Sequence, residues 1–144
     1  MPRVPLSTIA HGRSGDKGNH SNVAVIAYTD AGYEWLKANL TAVVVAKYFA
    51  GVKPSRVERF EAPNLRGLNF MLYDSLGGGA SRSLRSDTQG KAFAMALLQM
   101  EVELPANFAS MQRPASGPWP STPRSWSRRG RRCSSRINWR ARWC

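Results

Sequence analysis

Asn22-Val23-Ala24-Val25-Ile26-Ala27-Tyr28 is a continuous apolar run of strand length, the pattern of a central strand covered on both faces. The elements around it follow in order. Asp30 can cap a helix beginning at Ala31, in which Tyr33, Leu36 and Leu40 recur along one face. Thr41 caps a second helix with Val44, Val45, Tyr48 and Phe49 as its apolar side, and Gly51 with Pro54 stops it. Two strands come next, Arg56 to Glu61 and Gly67 to Tyr73, the latter alternating Leu68, Phe70 and Leu72 onto one face. Ala62 to Arg66 is the turn between them. Asp87 can cap a third helix carrying Phe93, Leu97 and Met100, and Val102 and Leu104 alternate with Glu101 and Glu103 in a last strand that Pro105 ends.

From residue 22 the order is strand, helical pair, strand, strand, helix, strand. That is the βαββαβ, split-βαβ pattern of an α+β, ferredoxin-like fold, with helices on one face of an antiparallel sheet. Arg3 to Ala10 adds an N-terminal edge strand, because Pro5 removes a backbone donor and suits an edge. The other sheet face is left open, and a homo-oligomer or a larger subunit is the partner expected to cover it.

The formal charge of +12 over 144 residues is unevenly placed. Residues 1–110 hold 12 Lys and Arg against 9 Asp and Glu, while residues 111–144 hold 9 Arg and neither Lys nor acid. The packed domain is therefore read as residues 1–106, and residues 107–144 as an Arg/Ser/Pro/Trp-rich tail expected to be disordered. Its Arg without Lys, with four Trp, resembles translation of a GC-rich gene in a shifted frame. A native basic tail is the second reading and nucleic-acid recognition the least favoured. Both cysteines, Cys133 and Cys144, lie in that tail, so neither a disulfide framework nor an iron–sulfur cluster is expected in the body. No apolar run is long enough to span a bilayer and the N-terminus lacks signal-peptide order; the expected location is cytoplasmic, without membrane contact.

The chemistry concentrates in two glycine-rich stretches. His11-Gly12-Arg13-Ser14-Gly15-Asp16-Lys17-Gly18-Asn19 is read as a site loop whose N–H groups converge on an anion, with Arg13 and Lys17 as its cations. Gly77, Gly78 and Gly79 open a second loop with Ser81, Arg82, Ser83 and Arg85. If the two lie at the same end of the fold they form one ligand-binding site. His11 and Asp16 are the candidate acid–base residues; Asp16 can equally hold the loop shut, and Asn19 and Asn69 can tie down backbone. The spacing fits neither a P-loop nor a dinucleotide fingerprint, and His11 and His20 with one carboxylate between them make no metal set. No metal and no cofactor are expected.

His11 to Asn19, Pro63-Asn64-Leu65 with Leu68-Asn69-Phe70, Leu76 to Gly79, and Ser81 to Arg85 with Asp87 and Gly90-Lys91 together resemble the ferredoxin-fold domain at the C-terminus of the acyclic terpene utilisation protein AtuA, which also occurs as a short separate protein. The resemblance covers about residues 3–105. It implies a place in catabolism of acyclic terpenoids and branched acyl-CoA compounds, and it carries no assigned catalytic residue. The expected function is an accessory domain binding a small anionic metabolite of acyl-CoA type beside a larger AtuA-type partner. A small hydratase or lyase acting on such a thioester stands as the alternative, and whether the chain is an enzyme is left open.

Overall fold

Residues 22–27 of the apolar run lie in a strand with a partner on each side, in a computed structural model that describes residues 2–79 and 81–114. The strands are β1 (Arg3–Pro5), β2 (Ala10–Lys17), β3 (His20–Ala27), β4 (Arg56–Ala62), β5 (Gly67–Tyr73) and β6 (Glu101–Glu103). The α-helices are α1 (Asp30–Asn39), α2 (Ala42–Tyr48) and α3 (Phe93–Leu98). A four-stranded antiparallel sheet has the order β2-β3-β5-β4, and β1 pairs with β6 in a separate two-stranded ribbon.

Period-2 alternation divides the main sheet into two faces. Val23, Val25 and Ala27 of β3 and Leu68, Phe70 and Leu72 of β5 are buried on the inner face. Over them lie Tyr33, Leu36 and Leu40 from α1, Val45 and Phe49 from α2, and Ala94 and Leu97 from α3. Phe70 is fully buried, and truncating such a ring costs about 3–5 kcal/mol. The outer face carries Asn22, Ala24 and Ile26, all only half-buried. β3 is thus covered on one face rather than both, as an antiparallel sheet with one solvated side requires.

Helix starts follow the side-chain oxygens. Thr29, not Asp30, caps α1, its hydroxyl accepting from the Gly32 N–H at 3.1 Å. Thr41 caps α2, accepting from Val44 N at 3.3 Å. On α2 only Val45 and Phe49 face the core, whereas Val44 and Tyr48 are exposed. α3 begins later than its periodicity implies, because residues 88–92 remain in turns beneath the Asp87 carboxylate, which accepts from Lys91 N and Ala92 N at 2.9 Å each.

Two expectations change. The nine residues from His11 form most of β2 rather than a loop, paired with β3 residue for residue from Ala10↔Ala27 to Lys17↔His20. In a plain βαββαβ sheet the last strand lies beside the first; here β2 holds that place. A two-residue turn closes the β2–β3 hairpin at little entropic cost, while β6 has three residues before Pro105 and pairs with β1. Arg3 to Ala10 is correspondingly a short strand, a 3₁₀ turn over Leu6–Thr8 and the start of β2.

The first compact unit runs through Pro114. A 3₁₀ turn at Phe108–Met111 buries Met111, so one more packed turn follows the sequence boundary at residue 106. The rest of the tail, from residue 115, lies outside the described residues, and with it the expectation of disorder there.

Candidate functional site

The hairpin between β2 and β3 turns on Gly18 and Asn19. Gly18, at φ 69°, is the first central residue, as a type II′ turn demands. Beyond β5 the chain passes Asp74 at φ 54° and then Gly77, Gly78 and Gly79, all at positive φ. These two turns touch. A Cβ on Gly79 would stand 2.7 Å from the Gly18 carbonyl oxygen, so no side chain fits between them.

Asn19 fastens the contact. Its Oδ1 accepts from Gly78 N at 2.6 Å, its Nδ2 donates to Asp74 Oδ1 at 3.0 Å, and its carbonyl accepts from Leu76 N at 3.1 Å. Asp74 is the second hub: Ser55 Oγ donates to its Oδ2 at 2.6 Å, and its own N–H donates to His20 Nδ1 at 2.9 Å. The Ser55 hydroxyl first, and less strongly Asn19 and the nearby His20, hold the Asp74 carboxyl below its ordinary range, against desolvation, which is the second-largest effect and raises it. Beneath lies a buried hydroxyl pair, Ser21 and Ser75, 2.8 Å apart, with Ser75 also donating to the Leu72 carbonyl.

The remaining residues of the second loop gather at the same end. Arg85 donates to the Ser75 carbonyl at 2.7 Å and lines a cleft of about 280 Å³ with Gly51, Val52, Asp87 and Phe93. Ser83 Oγ accepts from Arg85 N, while Ser81 and Arg82 are exposed. Lys17 sits at the edge of the hairpin turn, its Nζ 3.3 Å from the Asp16 carbonyl. Among the described residues, Lys17, Arg82 and Arg85 belong to no ion pair.

Other residues of the nine-residue stretch point elsewhere, because alternate side chains of β2 take opposite faces. Gly12 faces inward and admits α3: a Cβ there would meet the Ala24 carbonyl oxygen at 2.7 Å and Ala94 Cβ at 3.5 Å. Ser14 donates to the Lys91 carbonyl at 2.9 Å and accepts from Ala94 N at 3.0 Å, so a strand residue caps α3 from outside the helix. Arg13 and Gly15 lie on the outer face. His11 stands at the far end of β2, stacked on Tyr28 with ring centroids 5.4 Å apart, beside a separate cavity lined with Arg113. His11 and Asp16 are five residues apart on an extended strand, about 17 Å, and on opposite faces; they do not form an acid–base pair.

The expected nest of converging N–H groups along residues 11–19 does not form, since those residues are committed to the ladder with β3. Only the 17–19 portion meets the second glycine turn. There the N–H groups of Leu76, Gly78 and Gly79 are already donated to protein oxygens, which leaves the side chains as the free donors. Among the described residues no three His, Cys, Asp or Glu side chains gather as a metal set.

The glycine turns, the Asn19 tie and the Arg85 segment all fall within a stretch that matches one family model, the AtuA ferredoxin-like domain, over residues 4–103. The chain belongs to the AtuA ferredoxin-like domain family. Neither the curated proteins nor the solved structures include a match to it. In this member of the family, Ser55 and Asp74 escaped the sequence reading, and His20 figures there only as a rejected metal ligand. The one local signal was an acidic residue directly after β5, where Asp tolerates the left-handed conformation. No described helix is long and apolar enough to cross a membrane.

Proposed function

We propose that this AtuA ferredoxin-like domain is an accessory binding domain for a small anionic metabolite of acyl-CoA type, working in acyclic terpenoid or branched acyl-CoA catabolism beside a larger AtuA-type subunit in the cytoplasm. One observation carries the reading: Gly18 and Gly79 are in backbone contact, which brings Lys17 and the Arg82–Arg85 segment to one end of the sheet. Lys17 and Arg82 are exposed and in no ion pair among the described residues, so neither charge is spent on the fold. A guanidinium supplies a planar fork and an ammonium a point charge, the pair that phosphate or carboxylate oxygens take up. The clasp of Asn19 and Asp74 holds the frame to which these side chains are attached.

Calorimetric titration of the full chain with CoA and pyrophosphate tests it. Binding should weaken at least about tenfold in the Lys17→Ala, Arg82→Ala double variant. Equal binding by the parent and the double variant would refute the assignment, because cations other than Lys17 and Arg82 would then account for all of it.

A further inference from the structure

The helical layer is apolar on both of its faces where α2 and α3 meet. α1 turns Glu34, Lys37 and Asn39 outward, as a surface helix does. α2 instead leaves Val43 77% exposed, with Val44 and Tyr48 also exposed, although Val45 and Phe49 already supply its core side. From Ala92 to Met100, a stretch that contains α3, no residue is charged, and Met95 is 70% exposed. A helix that is hydrophobic all round belongs under a cover, and no described residue covers these side chains.

The two helices run antiparallel. Phe49, at the end of α2, stacks on Phe93 at the start of α3 with ring centroids 5.4 Å apart, and the Tyr48 hydroxyl donates to the Ala96 carbonyl at 2.7 Å. Toward the other end of the pair lies a groove of about 510 Å³ lined by Val44, Lys47, Tyr48 and Met100. Lys47 stands on its α2 wall. On the opposite wall Met100 is followed directly by Glu101, which opens β6 with its side chain exposed while Val102 is the buried neighbour. Neither Lys47 nor Glu101 belongs to an ion pair among the described residues. The other charges of this layer, Lys53, Arg85, Asp87 and Lys91, lie at the far end of the helix pair, where Arg85 and Asp87 line the cleft beside Phe93.

A cation on one wall and a carboxylate on the other make the groove self-complementary. A two-fold axis along it sets Lys47 of each copy against Glu101 of the other, so that one contact is made twice and apolar walls close on apolar walls. We infer that a second copy of this chain covers the α2–α3 groove, with Val44 and Tyr48 at the centre of the contact and reciprocal Lys47–Glu101 pairs at its flanks. On this assignment the homo-oligomer contact lies on the helical layer rather than on the open sheet face. Neither Lys17 nor Arg82 lines the groove, so the contact and the anion site stand or fall separately.

Sedimentation equilibrium of the full chain, with reductant present so that Cys133 and Cys144 form no cross-link, should show a monomer–dimer equilibrium in the micromolar range. Lys47→Glu and Glu101→Lys should each weaken the dimer at least about tenfold, because either change opposes like charges twice. An equimolar mixture of the two variants should associate as tightly as the parent, since both pairs of the mixed dimer are again of opposite sign. Val44→Asp should leave a monomer. All three positions are exposed, and circular dichroism checks that the variants fold. A parent that stays monomeric throughout overturns the assignment. So does a dimer indifferent to all three changes; if Arg13→Glu breaks that dimer, the contact lies on the outer face of the sheet. Single variants that are weakened and fail to associate when mixed overturn the reciprocal pairing.

Discussion

The Gly18 carbonyl oxygen and the Gly79 α-carbon are so close that a methyl group on Gly79 would lie 2.7 Å from that oxygen. Gly79 also has φ 80°, where an L side chain adds strain of its own. Gly79→Ala should therefore cost more than the about 1–2 kcal/mol of a left-handed alanine alone, because backbone rather than a flexible side chain obstructs it. Urea denaturation measures the loss, and amide exchange at Gly78 should quicken as the Asn19 tie opens. A variant as stable as the parent, with unchanged exchange, would mean that the two turns are not in contact.

Ser14 makes a second prediction about the nine-residue stretch. Its hydroxyl bridges the Lys91 carbonyl and the Ala94 N–H, serving an α3 start that Ala92 cannot cap with its own side chain. Ser14→Ala should destabilise the domain by about 1 kcal/mol, with the loss of exchange protection centred on Ala94. Ser14→Thr retains the hydroxyl and should recover part of the loss. If Ser14→Ala is neutral, Ser14 has no capping role.

The split between what the sequence reveals and what it hides runs along contact distance. β3, β4, β5 and α1 are legible because their apolar periods and flanking turn residues are local. The single-residue shift of the α1 cap from Asp30 to Thr29 is a boundary detail. The glycine-rich stretch reads as a loop because Gly, Ser and Asp are poor strand formers. It becomes β2 only through pairing with β3 and because Gly12 leaves room for α3, two facts of tertiary packing. The same holds for β6, whose partner is chosen by competition with β2. At the site, Asn19 is recognisable as a residue that ties backbone, and it does so. His20, Ser55 and Asp74 meet across tens of residues, and no spacing rule brings them together.

Arg59 separates a half-buried charge that serves a helix end from surface pairs that do little. It lies on the inner side of β4 with its side chain 24% exposed, and it donates to the carbonyls of Lys37 and Leu40 at 2.9 and 3.3 Å. Those carbonyls close α1, where orphan acceptors and the helix dipole both favour a cation. Arg59→Met keeps the aliphatic length and should cost about 2 kcal/mol in denaturant titrations. Glu61→Gln removes only the partner carboxylate 2.9 Å away and should cost under about 1 kcal/mol. Equal losses would assign the effect to the Arg59–Glu61 pair instead of to the helix end.

Asp74 gives the domain an acid limb with a definite sign. Its folded-state titration lies below the ordinary value of 3.8, chiefly because Ser55 Oγ donates to the carboxylate. A depressed folded value means that the native state binds its proton later than the unfolded chain. The contribution is thus present in full above about pH 4 and is lost as pH falls through the folded value. Ser55→Ala removes the largest cause, so carbon-detected NMR of the Asp74 carboxyl should show its midpoint move up toward 3.8. The stability gap between Ser55→Ala and the parent, open at neutral pH, should narrow on acidification as both carboxyls become protonated. Asn19→Ala should raise the midpoint less, and should also free Gly78 N–H. A midpoint that stays put in Ser55→Ala would place the depression at Asn19, or at His20, whose Nδ1 lies 3.7 Å from Asp74 Oδ1.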